Sequence, residues 1–181
     1  MDTHKYTITI FTENFIGLLS RITLIFTRRH INIESITVSE SEVKGVHRYT
    51  VIVNVTELQV QRVVKQIEKQ VEAIKAFYYR DEDTIYQEIA LYKVSTKFLD
   101  GKHDLERIIR THQARILSVE SSYMVIEKTG HKSETQELLD LLQPYGVLEF
   151  VRSGRVSISK PMRELSEYLE EIEETHKAQR V

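Results

Sequence analysis

Residues 12 to 21 decide the fold of this chain, and they read Thr12-Glu13-Asn14-Phe15-Ile16-Gly17-Leu18-Leu19-Ser20-Arg21. The residues before them, His4 to Thr12, are rich in Tyr, Thr, Ile and Phe, which is typical of a β-strand. After them, apolar residues recur at helical spacing, namely Leu18, Ile22, Ile25 and Phe26. The stretch therefore predicts a tight strand-to-helix junction at Asn14 to Gly17, with a helix that begins at about Ile16.

The junction has the features of a small anion-binding corner. Gly17 can adopt a backbone conformation closed to other residues, which lets another molecule come close to the chain. The free N–H groups at the start of a helix, together with the positive end of its dipole, suit a small carboxylate. Asn14 either caps the helix or offers its carboxamide to a polar ligand. Since Asn and Gly are also common in simple caps and turns, the two residues alone leave both interpretations open.

The composition of the 181 residues suits one domain of ordinary size or two small ones. A hydrophobic fraction of 41% is enough for real cores, and the absence of cysteine excludes disulfides and thiolate metal sites. The net charge of −2 gives no electrostatic reason to expect nucleic acid or an anionic membrane as partner. No apolar run approaches membrane-spanning length, and the first five residues begin no signal peptide. We therefore expect a cytoplasmic protein without nucleic-acid or membrane partners.

The first 80 residues predict the element order β-α-β-β-α-β. The first helix should end near residues 28–30 and be followed by strands over Ile31–Ser39 and Tyr49–Val55. Thr56 and Gln59 form a capping-box pattern, which opens a helix with apolar residues three and four positions apart: Val60, Val63, Val64, Ile67 and Val71. Ala73–Arg80 supplies the last strand. This order is the ferredoxin-like split βαβ pattern, an α+β fold with two helices on one face of an antiparallel sheet.

A similar order repeats after an acidic break at residues 81–83. The predicted elements are a strand at 85–96, a helix at 104–112 and a strand pair at 116–120 and 122–128. A second capping box at Ser133–Gln136 opens the next helix. The last strand, at 147–158, should bend or break near Ser153-Gly154. We therefore predict two consecutive ferredoxin-like βαββαβ domains, residues 1–80 and 81–160. Pro161 fits the first turn of a C-terminal amphipathic helix over residues 161–181. That acidic helix either docks on a surface or forms a solvated tail.

Residue patterns for catalysis are missing from the sequence. The seven histidines show no paired spacing expected of metal ligands, and the six glycines form no phosphate-cradling loop. No serine lies in a nucleophile-elbow context. RNA-binding RRM domains share the βαββαβ order, but the third strand lacks their glycine-flanked aromatic signature. These patterns give no support for an enzyme, a metal site or an RNA-binding domain.

A longer motif resembles a known family. Glu13-Asn14-x-x-Gly17-x-Leu19-Ser20-Arg21, continued by Phe26-x-Arg28-Arg29-x-x-Asn32-Ile33-Glu34-Ser35, resembles the N-terminal ACT domain of the acetolactate synthase small subunit. The match is dense over Glu13 to Val38 and looser to about residue 80. In the second half it thins to Glu88-x-x-Leu91-x-Lys93-Val94 and Arg152-Ser153-Gly154. The run from Asn32 to Ser35 is the part most specific to the family.

The resemblance implies a non-catalytic regulatory subunit in branched-chain amino acid biosynthesis. Members of this family bind the large catalytic subunit, raise its activity and confer feedback inhibition by valine or a related amino acid. The thiamine diphosphate, Mg and FAD of the enzyme are expected in that large subunit, and no cofactor is expected in this chain. Two ACT domains pair side by side as a homodimer, and the amino-acid effector lies at their interface near the strand-to-helix loop.

Carried over by position, the resemblance implies an effector site of seven residues with no catalytic or metal-binding role. Asn14 and Gly17 hold the carboxylate end of the effector, and Asn32 reaches across from the second strand of the other copy. The candidate apolar walls are Phe15, Ile16, Leu18 and Ile33, and core packing is the alternative for each of them. The other function that the sequence leaves open is a free-standing double-ACT amino-acid sensor that regulates transcription or another enzyme. Copurification with a large thiamine-dependent enzyme distinguishes the two.

Overall fold

The computed structural model describes residues 2–98 and 104–160 of the chain. Contacts within the chain divide it into two compact units. Of the described residues, the first unit holds those up to Ile85 and residues 157–160, and the second holds those between Tyr86 and Val156. The predicted C-terminal helix at residues 161–181 lies outside the described residues.

The first unit has the predicted βαββαβ order. Its elements are β1 (His4–Glu13), α1 (Leu18–Arg28), β2 (Ile33–Glu40), β3 (Val46–Val55), α2 (Glu57–Ile67) and β4 (Ala73–Arg80). The four strands form one antiparallel sheet in the order β2-β3-β1-β4, so that β2 and β4 are its edges. The predicted α+β class and ferredoxin-like order are thereby confirmed for this unit.

The core of the first unit explains why these residues form these elements. On β1, the alternate residues Tyr6, Ile8 and Ile10 are buried in one cluster with the apolar stripes of both helices, which comprise Leu18, Ile22, Ile25, Phe26, Val60, Val63, Val64 and Ile67. The Thr56–Gln59 capping box is confirmed, because the Thr56 backbone N–H donates to the Gln59 side-chain oxygen at 2.9 Å. The prediction that Val71 continues the α2 stripe is wrong: α2 ends at Ile67 and Val71 is 95% exposed.

Apolar packing also occurs on the other side of β1. Phe11 is fully buried there beside Val46, Ile74 and Phe77. The Arg48 guanidinium lies 5.6 Å from the centre of the Phe11 ring and donates a 2.5 Å hydrogen bond to the Ser157 carbonyl. Burial lowers the pKa of Arg48 from its ordinary value. Ser157 therefore has contacts with the first unit although it lies late in the chain.

The second unit repeats the element order around its own core. Its elements are β5 (Thr84–Ser95, which begins just before the unit), α3 (Asp104–Thr111), β6 (Arg115–Val119), β7 (Tyr123–Gly130), α4 (Lys132–Leu142) and β8 (Val147–Arg152). The sheet order is β6-β7-β5-β8, and a further strand, β9 (Val156–Ser159), pairs with β5. The predicted last strand is therefore broken at residues 153–155, as expected.

A buried tyrosine and a helix cap specify the α4 region of the second unit. Tyr92 is fully buried and its hydroxyl donates to the Thr135 carbonyl at 2.6 Å, and burial raises its pKa to about 12. The predicted capping box at Ser133–Gln136 is wrong. The helix starts at Lys132, and Glu134 accepts a 2.7 Å hydrogen bond from the backbone N–H of His131. Because β7 runs to Gly130, only His131 remains to separate strand from helix.

Candidate effector site

The loop between β1 and α1, residues 14–17, is anchored to two other loops of the first unit. The Glu13 backbone N–H donates to the Glu72 carbonyl at 3.0 Å. The Asn14 backbone N–H donates to the Gly45 carbonyl at 3.1 Å, in the hairpin between β2 and β3. The start of the loop is therefore held in place, while the side chain of Asn14 is exposed.

Gly17 has the conformation that the sequence predicts for it. Its φ of 84° and ψ of −4° lie in the left-handed region, which favours glycine. A Cβ at this position would have no atom within 4 Å, so the backbone borders open space. Gly17 is also the residue that precedes α1, and no side chain caps the helix there. The helix thus begins two residues later than predicted, and the interpretation of Asn14 as its cap is wrong.

The open helix start leaves backbone donors available. The N–H groups of Leu18 and Arg21 donate to the carbonyls of Phe15 and Gly17, at 3.3 and 3.2 Å. Within the part of the chain that the structure describes, the N–H groups of Leu19 and Ser20 have no acceptor. These two unsatisfied donors lie at the positive end of the helix, next to a glycine that has no side chain to block access. Such a site is suited to an anionic group such as a carboxylate.

The four predicted apolar wall residues have different environments. Ile16 is 97% exposed and Phe15 is 57% exposed, so both side chains are open to solvent in a single chain. Ile33 is half-buried at the start of β2. Leu18 is fully buried in the core of the first unit, as its core-packing alternative requires. Phe15 and Ile16 are therefore the walls that a ligand can reach in a single chain.

An ion pair beside the loop was missed by the sequence reasoning. The Arg21 guanidinium donates to the Glu72 carboxylate at 2.6 Å, and the hydrogen bond lowers the pKa of Glu72. The same guanidinium lies 5.5 Å from the centre of the Phe15 ring, within the range of a cation–π contact. Arg21 therefore links the exposed aromatic ring of the loop to the turn before β4.

The structure separates the predicted site residues into two groups. Both β1 and β2 pair antiparallel with β3, so they run parallel to each other. Ile33 and Tyr6 both pair with Val53, which places Ile33 seven residues from the Glu13 end of β1. At about 3.3 Å per residue this is roughly 23 Å. Asn32 and Ile33 therefore lie at the opposite end of the sheet from Asn14 and Gly17 of the same chain.

The βαββαβ fold of the first unit and its loop at residues 14–17 are those of an ACT domain, a class of small regulatory domains. The family model "ACT domain" matches residues 6–72. The model "Small subunit of acetolactate synthase" matches at residues 87–161. The chain belongs to the acetolactate synthase small subunit family.

Individual relatives agree over most of the chain. The acetolactate synthase small subunit of Bacillus subtilis is 35% identical over 157 residues, covering 86% of this chain and 91% of that protein. The small subunit of Mycobacterium leprae is 33% identical over 158 residues, covering 87% and 93%. The crystal structure of the small subunit from Thermotoga maritima superposes with a TM-score of 0.80 at 28% identity, covering 88% of this chain and 99% of that one. These relatives support a regulatory subunit rather than a free-standing sensor.

Two further observations concern the described residues only. Within residues 2–98 and 104–160, no three His, Asp or Glu side chains are placed to hold a metal ion. In the same ranges, no helix has both the length and the apolar character needed to cross a membrane.

Proposed function

We propose that this chain binds the large catalytic subunit of acetolactate synthase, activates it, and confers feedback inhibition by valine or a related branched-chain amino acid. The family membership supports the partner. The observation that supports the inhibitor site is the loop at residues 14–17, where open space at Gly17 meets the free N–H groups of Leu19 and Ser20. The thiamine diphosphate, Mg and FAD of the reaction belong to the large subunit in this proposal, and the complex works in the cytoplasm.

We further propose that the effector site is completed by a second copy of the chain. β2 is an edge strand, and an exposed edge is a template for pairing with another strand. Because Glu40 and Thr12 both pair with His47, they lie at the same end of the sheet. Antiparallel pairing of β2 with β2 of a second copy would therefore bring Ile33 of one copy to the end of the sheet that carries Asn14 of the other. This dimer resolves the separation of about 23 Å within one chain.

In this arrangement each site residue has a distinct role. The N–H groups beside Gly17 and the carboxamide of Asn14 bind the effector carboxylate. Asn32 of the second copy binds its polar end from the other side, and Ile33 of that copy faces the aliphatic side chain together with Phe15 and Ile16. Leu18 supports the loop from the core beneath it. The domain limits at residues 1–80 and 81–160, with a tail at 161–181, remain part of the proposal.

Calorimetry of the full chain with valine, leucine and isoleucine tests the effector site. We expect saturable binding of at least one of them, and weaker binding by Asn14→Asp, which replaces a carboxamide donor by a carboxylate of the same shape. Lys132→Gln, which lowers the net charge by the same amount at an exposed position of the second unit, serves as the control and should bind normally. Normal binding by Asn14→Asp would contradict the site. Activation of acetolactate synthesis by the added chain tests the partner separately.

A further inference from the structure

A cationic groove lies between the two helices of the first unit. It has a volume of about 480 Å³ and is lined by Arg29, Arg62, Lys65, Gln66 and Lys69. A neighbouring depression of about 240 Å³ is lined by Arg28 and Gln66, and also by Arg21, the residue that contacts Phe15 of the effector loop. The groove has no part in the effector site described above.

The groove arises from the sequence pattern of α2. Arg62, Lys65 and Gln66 follow the spacing of three and four residues that places side chains on one face of α2, and Lys69 lies in the turn just after the helix ends at Ile67. Arg29, just past the end of α1, donates from Nε to the Gln66 side-chain oxygen at 2.8 Å. This bond ties the two helices together at the groove and leaves the rest of the guanidinium available.

The cations of the groove differ from four other cations of the same unit. Lys5, Arg21, Lys75 and Arg80 each have a glutamate partner at 2.6 to 3.3 Å. Among the described residues, no carboxylate forms an ion pair within 4 Å of the four groove cations, Arg29, Arg62, Lys65 and Lys69, or of Arg28 in the neighbouring depression. Like charges on adjacent helix turns destabilise an isolated helix. Five of them collected in a protein of net charge −2 therefore call for a negatively charged partner.

We propose that this groove, with its cations Arg29, Arg62, Lys65 and Lys69 and with Arg28 of the neighbouring depression, docks an acidic surface of the catalytic subunit. The inference rests on the proposed function, which supplies a protein partner for this chain. A protein surface is a more suitable occupant of the groove than a small anion, because the lining residues are long, flexible side chains and include no aromatic ring. The cations lie on α2, in the turn that follows it and just past the end of α1, which suits several carboxylates rather than one.

The groove remains available when the effector dimer forms. α2 packs against β4, which is the sheet edge opposite β2. Pairing of two copies through β2 therefore leaves α2 away from the paired strands. One dimer would present two such grooves to catalytic subunits while both effector sites are complete.

Charge reversal in the full chain tests this surface. The affinity of the catalytic subunit for wild type, Lys65→Glu and the matched control Lys132→Glu is measured by titrating activation of acetolactate synthesis. Both lysines are exposed on a helix and have no carboxylate partner among the described residues, so both changes alter the net charge equally. We expect Lys65→Glu to bind about tenfold more weakly, equivalent to about 1.4 kcal/mol, because reversal removes one favourable pair and adds one repulsion. Lys132→Glu should bind like wild type.

Salt dependence provides the second measurement. Raising the ionic strength from about 0.05 M to about 0.2 M should weaken wild-type binding, since exposed charges are screened over a shorter distance. The double variant Arg62→Glu/Lys65→Glu should lose part of that dependence. Retention of the effector calorimetry isotherm by each variant shows that the first unit is folded and paired.

The outcomes distinguish this inference from the proposed function. If wild type activates the catalytic subunit and Lys65→Glu does so with equal affinity, the docking surface is wrong and the regulatory role stands. If wild type neither binds nor activates, the proposed function fails and this inference fails with it. If the double variant loses binding of inorganic tripolyphosphate but keeps its affinity for the catalytic subunit, the groove is a small-anion site and the docking surface is again wrong.

Discussion

Replacing Gly17 by Asp should separate the proposed inhibition from activation, and Gly17→Asn provides a matched control. Both side chains have nearly the same shape, and Asn and Asp tolerate the left-handed conformation better than other non-glycine residues. With φ at 84° and no atom within 4 Å of a Cβ, both variants should fold. Each should lose about 1 kcal/mol of folding stability from backbone strain.

The two variants differ in one negative charge beside the proposed carboxylate position. Two like charges about 4 Å apart repel by about 1 kcal/mol in water and about 4 kcal/mol at the effective dielectric constant of a protein surface. This corresponds to effector binding that is weaker by about fivefold to several hundredfold. Allosteric coupling is typically about 1–3 kcal/mol, so the loss is large enough to abolish inhibition at ordinary effector concentrations. Gly17→Asn should retain more of the inhibition.

The assay is acetolactate formation by the catalytic subunit with wild type, Gly17→Asp or Gly17→Asn, over a range of valine concentrations. Activation without valine should be equal for all three, because it does not require an occupied site. Equal valine sensitivity of the Asp and Asn variants would show that no carboxylate binds at this corner. Loss of activation by a folded Gly17→Asp chain would show that the two roles cannot be separated there.

Three further changes test the dimer, the core and the ion pair. Val38→Lys places a charge on edge strand β2 and should convert the proposed dimer to a monomer, as measured by light scattering. The variant should also lose valine binding in calorimetry, and a monomer that still binds valine would exclude an effector site shared between two copies. Leu18→Ala should lower the free energy of unfolding in urea by about 2–5 kcal/mol, and unchanged stability would place Leu18 outside the core. The hydrogen bond from Arg21 lowers the pKa of Glu72 below its ordinary value of 4.5. The pair therefore stabilises the fold fully at a pH above 4.5, and this stabilisation is lost as the pH falls through the lowered pKa of Glu72. Glu72→Gln should make the free energy of unfolding less dependent on pH in the acid range. An acid unfolding curve identical to that of wild type would contradict a stabilising role of the Arg21–Glu72 pair.

Periodicity predicted most of the fold because both sheets bury one face against helices. The errors lie where an element ends. Val71 continues the helical spacing of α2. The spacing of apolar residues, however, does not show where the backbone leaves the helical conformation. Likewise, Ser133 fits the capping-box pattern with Gln136, yet β7 extends to Gly130 and moves the helix start to Lys132. Such boundaries depend on strand length, which local sequence does not determine.

The candidate site was predictable only in part for a similar reason. A glycine between a strand and a helix has a local conformational signature, and Gly17 has the predicted geometry. The Arg21–Glu72 pair has none, since its members are 51 positions apart and approach only when α1 and the turn before β4 are in place. Long-range ion pairs of this kind follow no periodicity, so only the folded structure reveals them.

Strand register links effector binding to pairing of two chains. Ile33 and Glu13 are roughly 23 Å apart along the sheet at about 3.3 Å per residue, and Asn32 and Asn14 lie beyond them at opposite ends, so one chain cannot contact a single amino acid with both. If both residues bind the effector, the complete site exists only in the dimer. An effector that binds only the dimer stabilises it by mass action, and pairing strengthens effector binding by the same factor. The edge strand β2 is then part of the regulatory mechanism, because its pairing sets the population of chains that can respond to the amino acid.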